Sequence, residues 1–480
     1  MGTDLFPRRR FRHTDILKPS AQGLKPAVTA ARSTAFDILF RVEQESSYAS
    51  DLLHSAAYEC LSAADHALAT DLVMGVLRWR SLLDDEISHA SSQPLSKLDL
   101  EILIALRIAL YQLRWLDRIP HRAAIHESVE LVKRSRKRSA APFVNAVLRK
   151  LAASVPAAHT LPRADMPASV EALSRTYAHP LWLVQRWAHE YGPAATHTIC
   201  QHDQSVPATT VRLRNSAAEA ALLAEGIELA PGAFLKCARR VQRGDVTKTL
   251  AFRTGQVVIQ DEASQLVAAL VGQGSRILDC CSAPGGKTLA MADRNPDSTI
   301  TAVELHPHRA RLLQRMLRPN KGSAESRHAQ KINIAVADAR NLPSLVHFDR
   351  ILADVPCSGT GTLARNPEIK WRLALSDLAD LHERQYAILR SALAQVAAGG
   401  RVIYSTCSLE REENENVVER ALAEDNRFRL FDCGLELERL KTEGELTWAQ
   451  PASLTRGPYL RTLPGIQPCD GFFAAILERN

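Results

Sequence analysis

The fold class predicted from the sequence is α/β: a doubly wound parallel sheet in the C-terminal half, preceded by an all-helical domain and a small α+β insert. Three observations predict it. Apolar residues recur at helical spacing from about 35 to 152, a strand-like pattern takes over between about 207 and 258, and beyond Gly255 short apolar runs alternate with helices. The length agrees: 480 residues at roughly 150 per domain give about three domains, and 46% hydrophobic residues suffice for more than one core. Composition excludes collagen-like, wholly disordered and disulfide-scaffold chains. No apolar run approaches the roughly 20 residues that cross a bilayer, and no signal-peptide core lies between the Arg8-Arg9-Arg10 cluster and Pro19. The 9 cysteines are scattered from Cys60 to Cys469, so reduced thiols in a soluble, cytoplasmic protein are expected.

The elements follow in order. Residues 1–34 are basic and rich in Arg, Pro and Ala without a sustained stripe, and read as a flexible arm whose cations suit solvent or phosphate. Within 35–152, Phe36, Leu39 and Phe40 open one helical stripe, Leu72, Val73, Val76 and Leu77 a second, and Leu103, Leu106, Leu110 and Leu113 a third. Lys133, Arg134, Arg136, Lys137 and Arg138 then crowd together more densely than a helix C-terminus needs, which suits RNA phosphate as well as a solvated face. An apolar helix over 143–151 closes this part. Residues 153–206 read as a linker and short helices: Pro156, Pro162 and Pro167 break any period, and His179-Pro180 precede a helix over 181–191 that carries Trp182 and Trp187. Five residues on a helix turn about 140°, so the two indoles share no face and are expected to pack, not to form a stacking platform. Residues 207–258 form the α+β insert, with a strand at 210–213 and a helix at 217–224. In 259–480, strands are expected at 276–279, 300–303, 332–336, 350–353 and 401–404. Ligands of such a sheet lie at the carboxyl ends of its strands.

The first of those strands runs into Asp279-Cys280-Cys281-Ser282-Ala283-Pro284-Gly285-Gly286-Lys287-Thr288. Glycines let the backbone come close to a ligand, and the helix that follows turns its amide groups toward a carboxylate or phosphate. About 18 residues past Gly286, Glu304 ends the second strand, where a carboxylate accepts hydrogen bonds from ribose hydroxyls; Asp338 follows the third strand in the same way. Turn, Glu304 and Asp338 in one ordered series point to an adenosine-containing cofactor. A phosphate-binding Gly-x-x-x-x-Gly-Lys-Thr loop would need glycine where Cys281 stands.

Two further motifs end the fourth and fifth strands: Asp354-Val355-Pro356-Cys357-Ser358-Gly359-Thr360-Gly361 and Tyr404-Ser405-Thr406-Cys407-Ser408. A lone strand-end cysteine is ordinarily an inert buried thiol. Two of them, one beside a carboxylate, point to chemistry, and no Cys-x-x-Cys or Cys/His pair marks a metal at either place. C5 of cytosine is a poor nucleophile until a thiolate adds to C6 and makes C5 enamine-like, ready to attack an electrophilic methyl group. An acid near N3 assists the addition, and a second acid/base group assists loss of the C5 proton and expulsion of the thiolate. Asp354, Cys357 and Cys407 supply these three tasks.

The motifs at Cys281–Lys287, Asp354–Gly361, Asn366-Pro367-Glu368-Ile369-Lys370-Trp371, Tyr404–Ser408 and terminal Asp470-Gly471-Phe472-Phe473, with Gln260-Asp261-Glu262-Ala263-Ser264 before them, resemble the RNA cytosine-5 methyltransferases of the Sun type. Leu72-Val73-Met74-Gly75-Val76-Leu77-Arg78 and Phe143-Val144-Asn145-Ala146-Val147-Leu148-Arg149 look like parts of a NusB-type RNA-binding domain, which narrows the likeness to the bacterial Sun (RsmB) type acting on 16S ribosomal RNA. The likeness runs from about 35 to 479. It implies a Rossmann-like methyltransferase domain with S-adenosylmethionine held by Cys281, Ser282, Ala283, Pro284, Gly285, Gly286 and Lys287, with Glu304, Asp338 and Asp354. It implies Cys407 as nucleophile and Cys357 as the residue that helps release product. Val355 stands where alanine is common in the family, and Cys280 adds a thiol before the loop; neither removes a functional group. Lys287 is left between contact with cofactor or RNA and simple charge balance.

The expected activity is therefore S-adenosylmethionine-dependent methylation of C5 of a cytosine in 16S ribosomal RNA through a covalent intermediate. The RNA is expected free or partly assembled, since the target base must leave its stack. The protein is expected to be cytoplasmic and monomeric, with no metal and no membrane partner. The competing readings are a transfer-RNA cytosine-5 methyltransferase, against which the NusB-like helices speak, and a non-catalytic RNA-binding assembly factor, against which intact Asp354, Cys357 and Cys407 speak.

Overall fold

The computed structural model describes residues 28–45, 47–58, 60–154, 169–317, 332–343 and 347–480. The N-terminal part is helical: α1 (Ala30–Glu45), α2 (Ala49–Leu53), α3 (Ala63–Ala90), α4 (Leu100–Trp115), α5 (His121–Arg134) and α6 (Ala141–Ser154). The three apolar stripes meet in one core, where Phe36 and Leu39, Leu72 and Val76, and Leu106 and Leu110 are all buried. Nearly every residue of α4 from Ile102 to Leu113 is buried, as an all-round apolar helix requires, and the other helices surround it. Gly75 allows the closest approach, since a Cβ there would come within 2.0 Å of the Tyr111 ring. Helix α1 begins inside the stretch expected to be a flexible arm. The reason is Arg32, an interior cation: it donates to Gln112 at 2.6 Å and pairs with Glu127 at 2.9 Å. The remainder of the arm, 1–27, lies outside the described residues, as does most of the proline-rich linker.

Helices α7 (Val170–Thr176), α8 (Leu181–Tyr191) and α9 (Pro193–Asp203) follow. Their inner residues Leu173, Leu183, Val184, Trp187 and Ile199 pack on Leu363, Ile369 and Leu409 from the C-terminal part. The insert is an antiparallel sheet of β1 (Thr210–Leu213), β2 (Glu228–Pro231), β3 (Ala238–Arg243) and β4 (Val257–Ile259), in the order β2-β3-β1-β4. Helix Ala217–Ala224 covers it through Ala218 and Leu222.

The large sheet contains β5 (Arg276–Asp279), β6 (Thr299–Glu304), β7 (Ile332–Val336), β8 (Phe348–Asp354), β9 (Val396–Thr406), β10 (Phe428–Phe431), β11 (Thr455–Arg456), β12 (Tyr459–Thr462) and β13 (Phe472–Arg479). Its parallel portion runs β9-β8-β5-β6-β7, so the chain reverses direction across the sheet between β5 and β8. That switch point is the crevice where such sheets bind ligands. Ile277, Leu278, Ile351, Leu352, Val402 and Ile403 are all buried, as strands covered on both faces must be. The five expected strands are parallel, and the sheet extends past them through strands that were not expected. Strand β13 lies antiparallel to β9, and both β12 and β10 pair with its far edge. A strand buried on both faces is a continuous apolar run whichever way it points, so periodicity does not report its direction. Among the described residues no helix is long and apolar enough to cross a membrane.

Candidate active site

The site is assembled at the carboxyl ends of β5, β6, β8 and β9. The turn after β5 is held from below. Thr288 Oγ1 donates to Asp279 Oδ2 at 2.6 Å, and Ser282 donates from its amide and hydroxyl to the carbonyl of Val303 at 2.9 and 3.1 Å. Gly285 has φ +118°, and a Cβ there would lie 2.8 Å from Leu313, so the turn is closed to other residues. Helix Gly286–Arg294 starts at once and presents its first amides to the crevice. Burial pushes Asp279 up to about 6 despite the Thr288 hydrogen bond. Burial also pushes the thiols of Cys280 and Cys281 up, which keeps both protonated and unreactive.

The carboxylates around this turn differ. Glu304 is buried at the end of β6, accepts the His306 amide at 2.9 Å through Oε1, and has Arg309 3.9 Å from Oε2. Asp338 is half-buried, and its carboxylate is taken by the amide and guanidinium of Arg340, whose hydrogen bonds hold it below the usual carboxylate range. Asp354 accepts Ser405 Oγ at 2.8 Å on one oxygen and pairs with Lys287 at 2.8 Å on the other. A polar ligand fits this crevice: Asp279 Oδ1 and Gln260 Oε1 are buried acceptors with no partner among the described residues, and Gly286 faces the Gln260 side chain with no Cβ between them.

Adjacent parallel strands explain the second half of the site. Asp354 stands opposite Ser405 in the β8–β9 ladder, so the loops leaving the two strands run side by side. Cys357 Sγ and Cys407 Sγ end 3.4 Å apart. The hydrogen bond to Cys407, reinforced by burial, pushes the Cys357 thiol well above its ordinary value. Lys287 reaches this pair from the β5 turn. Burial favours its neutral form, but Asp354 outweighs that, with a smaller contribution from Cys407, and raises its pKa, so the ammonium is a fixed cation beside Asp354. Its Nζ also lies 5.1 Å from the ring centre of Phe472.

Sequence reasoning did not find Glu413. This carboxylate is fully buried and accepts the Ser358 amide at 2.8 Å, Gln385 Nε2 at 2.8 Å, the Ser358 hydroxyl, and Ser408 Oγ at 2.5 Å. Ser358 follows Cys357 and Ser408 follows Cys407, so one carboxylate fastens both thiol loops. The only signal was the acidic run 410–413 behind Cys407, which reads like any solvated turn.

The remaining motifs converge behind the thiols. Arg365 pairs with Asp470 at 2.9 Å and with Asp261 at 3.2 Å, and the Gly361 amide donates to the carbonyl of Cys407 while its carbonyl accepts the Gly471 amide. Glu262 accepts the amides of Ala233 and Phe234, which ties the insert to the large sheet. The segment after Arg365 grips the N-terminal helices: Lys370 Nζ donates to the carbonyl of Arg78 at 2.9 Å and Trp371 Nε1 to that of Leu77 at 2.6 Å. Trp187 is buried and donates to Glu410, while Trp182 lines a neighbouring groove of about 470 Å³ with Arg186 and Arg411 that neither thiol lines. Among the described residues no group of three His, Cys, Asp or Glu side chains could hold a metal.

Comparison with known proteins adds the following. The 16S rRNA methyltransferase RsmB/F family matches residues 268–478, and the NusB family matches residues 29–153. The probable ribosomal RNA small subunit methyltransferase B of Bacillus subtilis is 34% identical over 94% of this chain and 99% of its own length. The ribosomal RNA small subunit methyltransferase B of Vibrio cholerae is 30% identical over 90% of this chain and 94% of its own. The crystal structure of PH0851 superposes with a TM-score of 0.75 at 20% identity, covering 96% of this chain and 100% of that one, and so shares the fold.

Proposed function

The chain belongs to the RsmB/F family of 16S ribosomal RNA methyltransferases, and we propose that it methylates C5 of a cytosine in 16S ribosomal RNA through a transient Cys407–C6 bond. The methyl donor of this methyltransferase domain is S-adenosylmethionine, which supplies an electrophilic methyl group. The residues that would hold it are the turn Cys281–Lys287, the buried Glu304, and Asp338 and Asp354. Asp338 would do so with Arg340 already on its carboxylate.

The observation that carries the reading is the 3.4 Å pair of thiols beside the Lys287–Asp354 ion pair. The two sulfurs are not equivalent. Cys357 is the one whose proton is held, and Cys407 is the one the family likeness makes the nucleophile. The Cys407 thiolate adds to C6 while Asp354 passes a proton to N3, with the Lys287 ammonium remaining as its counter-ion. Electron density then reaches C5, which takes the methyl group. Afterwards the C5 proton departs to water, N3 returns its proton to Asp354, the C5–C6 double bond re-forms, and the sulfur–C6 bond breaks. Cys357, in contact with the departing sulfur, is the acid/base group for this release. The NusB-family helices and the insert would orient the RNA through phosphates and shape, which makes binding salt-sensitive. The target base must leave its stack, so free or partly assembled RNA in the cytoplasm is the proposed substrate.

The test is product analysis after incubation of 16S ribosomal RNA and transfer RNA with labelled S-adenosylmethionine. 5-Methylcytidine in the ribosomal RNA alone is expected. Cys407→Ala should abolish transfer with the cofactor still bound, and Cys357→Ala should accumulate a covalent protein–RNA adduct. Unchanged turnover of Cys407→Ala would overturn the assignment.

A further inference from the structure

The loop between α1 and α2 belongs to the helical part, yet the catalytic half fixes it on both sides of one residue. Arg372 donates to the carbonyls of Val42 and Ser47, each at 2.6 Å, and the amide of Ala49 donates to Glu368 Oε1 at 2.8 Å. The residue between Ser47 and Ala49 is Tyr48. The segment that supplies Glu368 and Arg372 also backs the thiol loop: a Cβ on Gly359, two residues beyond Cys357, would come within 2.9 Å of Ile369. A short chain of contacts thus runs from Cys357 through Ile369 to the backbone around Tyr48.

Tyr48 itself is treated differently from its neighbours. Ala49, Leu52 and Leu53 are buried, whereas Tyr48 is 47% exposed, and its hydroxyl makes no hydrogen bond among the described residues. Partial burial, followed by the sulfurs of Cys407 and Cys357, raises the pKa of its phenol, so the side chain lies within electrostatic reach of both. A tyrosine exposed on an open surface needs no explanation. This one has its backbone clamped from the catalytic half, its side chain half exposed and its polar tip unengaged, within electrostatic reach of the proposed nucleophile. Those are the properties of an aromatic platform for a nucleobase: a large π-face presented at low entropic cost.

We infer that Tyr48 is the helical domain's wall of the substrate pocket, its ring stacking on the base presented to Cys407. This rests on the cytosine reading above and deepens it, since the helical domain then completes the active site as well as binding RNA. A base drawn out of its stack loses its neighbours, and an aromatic ring waiting beside the nucleophile replaces one of them.

The experiment uses the full chain, 16S ribosomal RNA and labelled S-adenosylmethionine, with Tyr48→Ala, Tyr48→Phe and Cys407→Ala beside wild type. Tyr48→Ala should lower kcat/KM for 5-methylcytidine formation by roughly 5- to 150-fold, the range that stacking of one base on an aromatic ring carries. Its affinity for S-adenosylmethionine, measured by calorimetry, should equal that of wild type, which also reports intact folding. Tyr48→Phe keeps the ring and should stay within roughly threefold of wild type. Trapping with RNA carrying 5-fluorocytosine should show slower adduct formation at Cys407 in Tyr48→Ala. Wild-type kcat/KM and trapping rate in Tyr48→Ala would overturn the role of Tyr48 alone, and so would a Tyr48→Phe protein as slow as Tyr48→Ala. Absence of 5-methylcytidine with wild type, or full turnover by Cys407→Ala, would overturn the cytosine reading and this inference with it.

Discussion

Glu413 gathers four hydrogen bonds, three of them from the serines that follow the two thiols. Hydrogen bonds to a charged acceptor each contribute roughly 1.5–3 kcal/mol, so the carboxylate is a strong fastener between loops that otherwise meet through 3.4 Å of sulfur contact. Glu413→Gln keeps the size and an acceptor for the Ser358 amide, but removes the charge and turns a donor toward the hydroxyls of Ser358 and Ser408. It should lower kcat roughly tenfold or more with S-adenosylmethionine affinity unchanged, a split that steady-state kinetics and calorimetry would resolve. Asp279 gives a prediction in pH. Its folded pKa of about 6 lies above the ordinary 3.8 because it is buried. Between about pH 4 and 6 the folded state therefore keeps a proton that the unfolded chain has released, so stability from this group falls as pH rises through that window. Asp279→Asn lacks the titration, and its stability relative to wild type should rise by about 2–3 kcal/mol from pH 4 to pH 7 in denaturant unfolding. Residue types at Cys357, Cys407, Asp354 and Glu304 were legible because they stand at strand ends in recognisable motifs. Glu413 was not, because an inward acid and a solvated acid are spelled alike until the backbone turns one of them under the sheet.

At the scale of elements, β13 decides how the thiol loops are packed. By lying antiparallel to β9 it brings the turn at 470–471 back beneath the carboxyl end of that strand, where Gly471 donates to Gly361 at 2.7 Å. The approach leaves no room: a Cβ on Gly361 would lie 2.2 Å from the Gly471 carbonyl oxygen and 2.9 Å from that of Cys407. These are backbone atoms and cannot swing aside. Gly361→Ala should therefore cost about 1–3 kcal/mol of stability by chemical denaturation, as overpacking does, and should part the two thiol loops, with methyl transfer lost more completely than stability. Several elements were readable to the residue, among them the strands Arg276–Asp279 and Ile332–Val336, the helix Leu181–Tyr191 and the strand Thr210–Leu213. Local pattern and turn residues bound these on both sides. The direction of β13 was not readable, because hydrogen-bond polarity leaves no trace in an all-apolar run.

Over the whole molecule, the joint between helical and catalytic parts is polar and buried. Lys370 is 1% exposed and donates to Arg78, Arg78 returns a hydrogen bond to the carbonyl of Ala364, and His179 and Asp203 lie in the same cluster, 3.2 Å apart. A motif cation that could have been assigned to RNA is thus spent on the joint. Of the five cations clustered at and just beyond the end of α5, Lys133, Arg134, Arg136 and Arg138 face solvent. Replacing Arg136 and Arg138 by alanine should weaken RNA binding and lower the slope of log affinity against log salt by roughly 0.7–0.9 for each phosphate no longer neutralised, with S-adenosylmethionine binding intact; filter binding across a salt series would measure it. Local sequence was enough for the order of helical part, insert and α/β sheet, for the cofactor turn, and for the two cysteines, because each is written in periodicity or in a contiguous motif. Which residues share a pocket emerged with the fold alone: that Lys287 pairs with Asp354, that Glu413 fastens both loops, and that the backbone on either side of Tyr48 is held by residues hundreds of positions away. Such pairings depend on strand order and on the docking of one core against another, and these are fixed by burial summed over the chain, which no local stretch of sequence records.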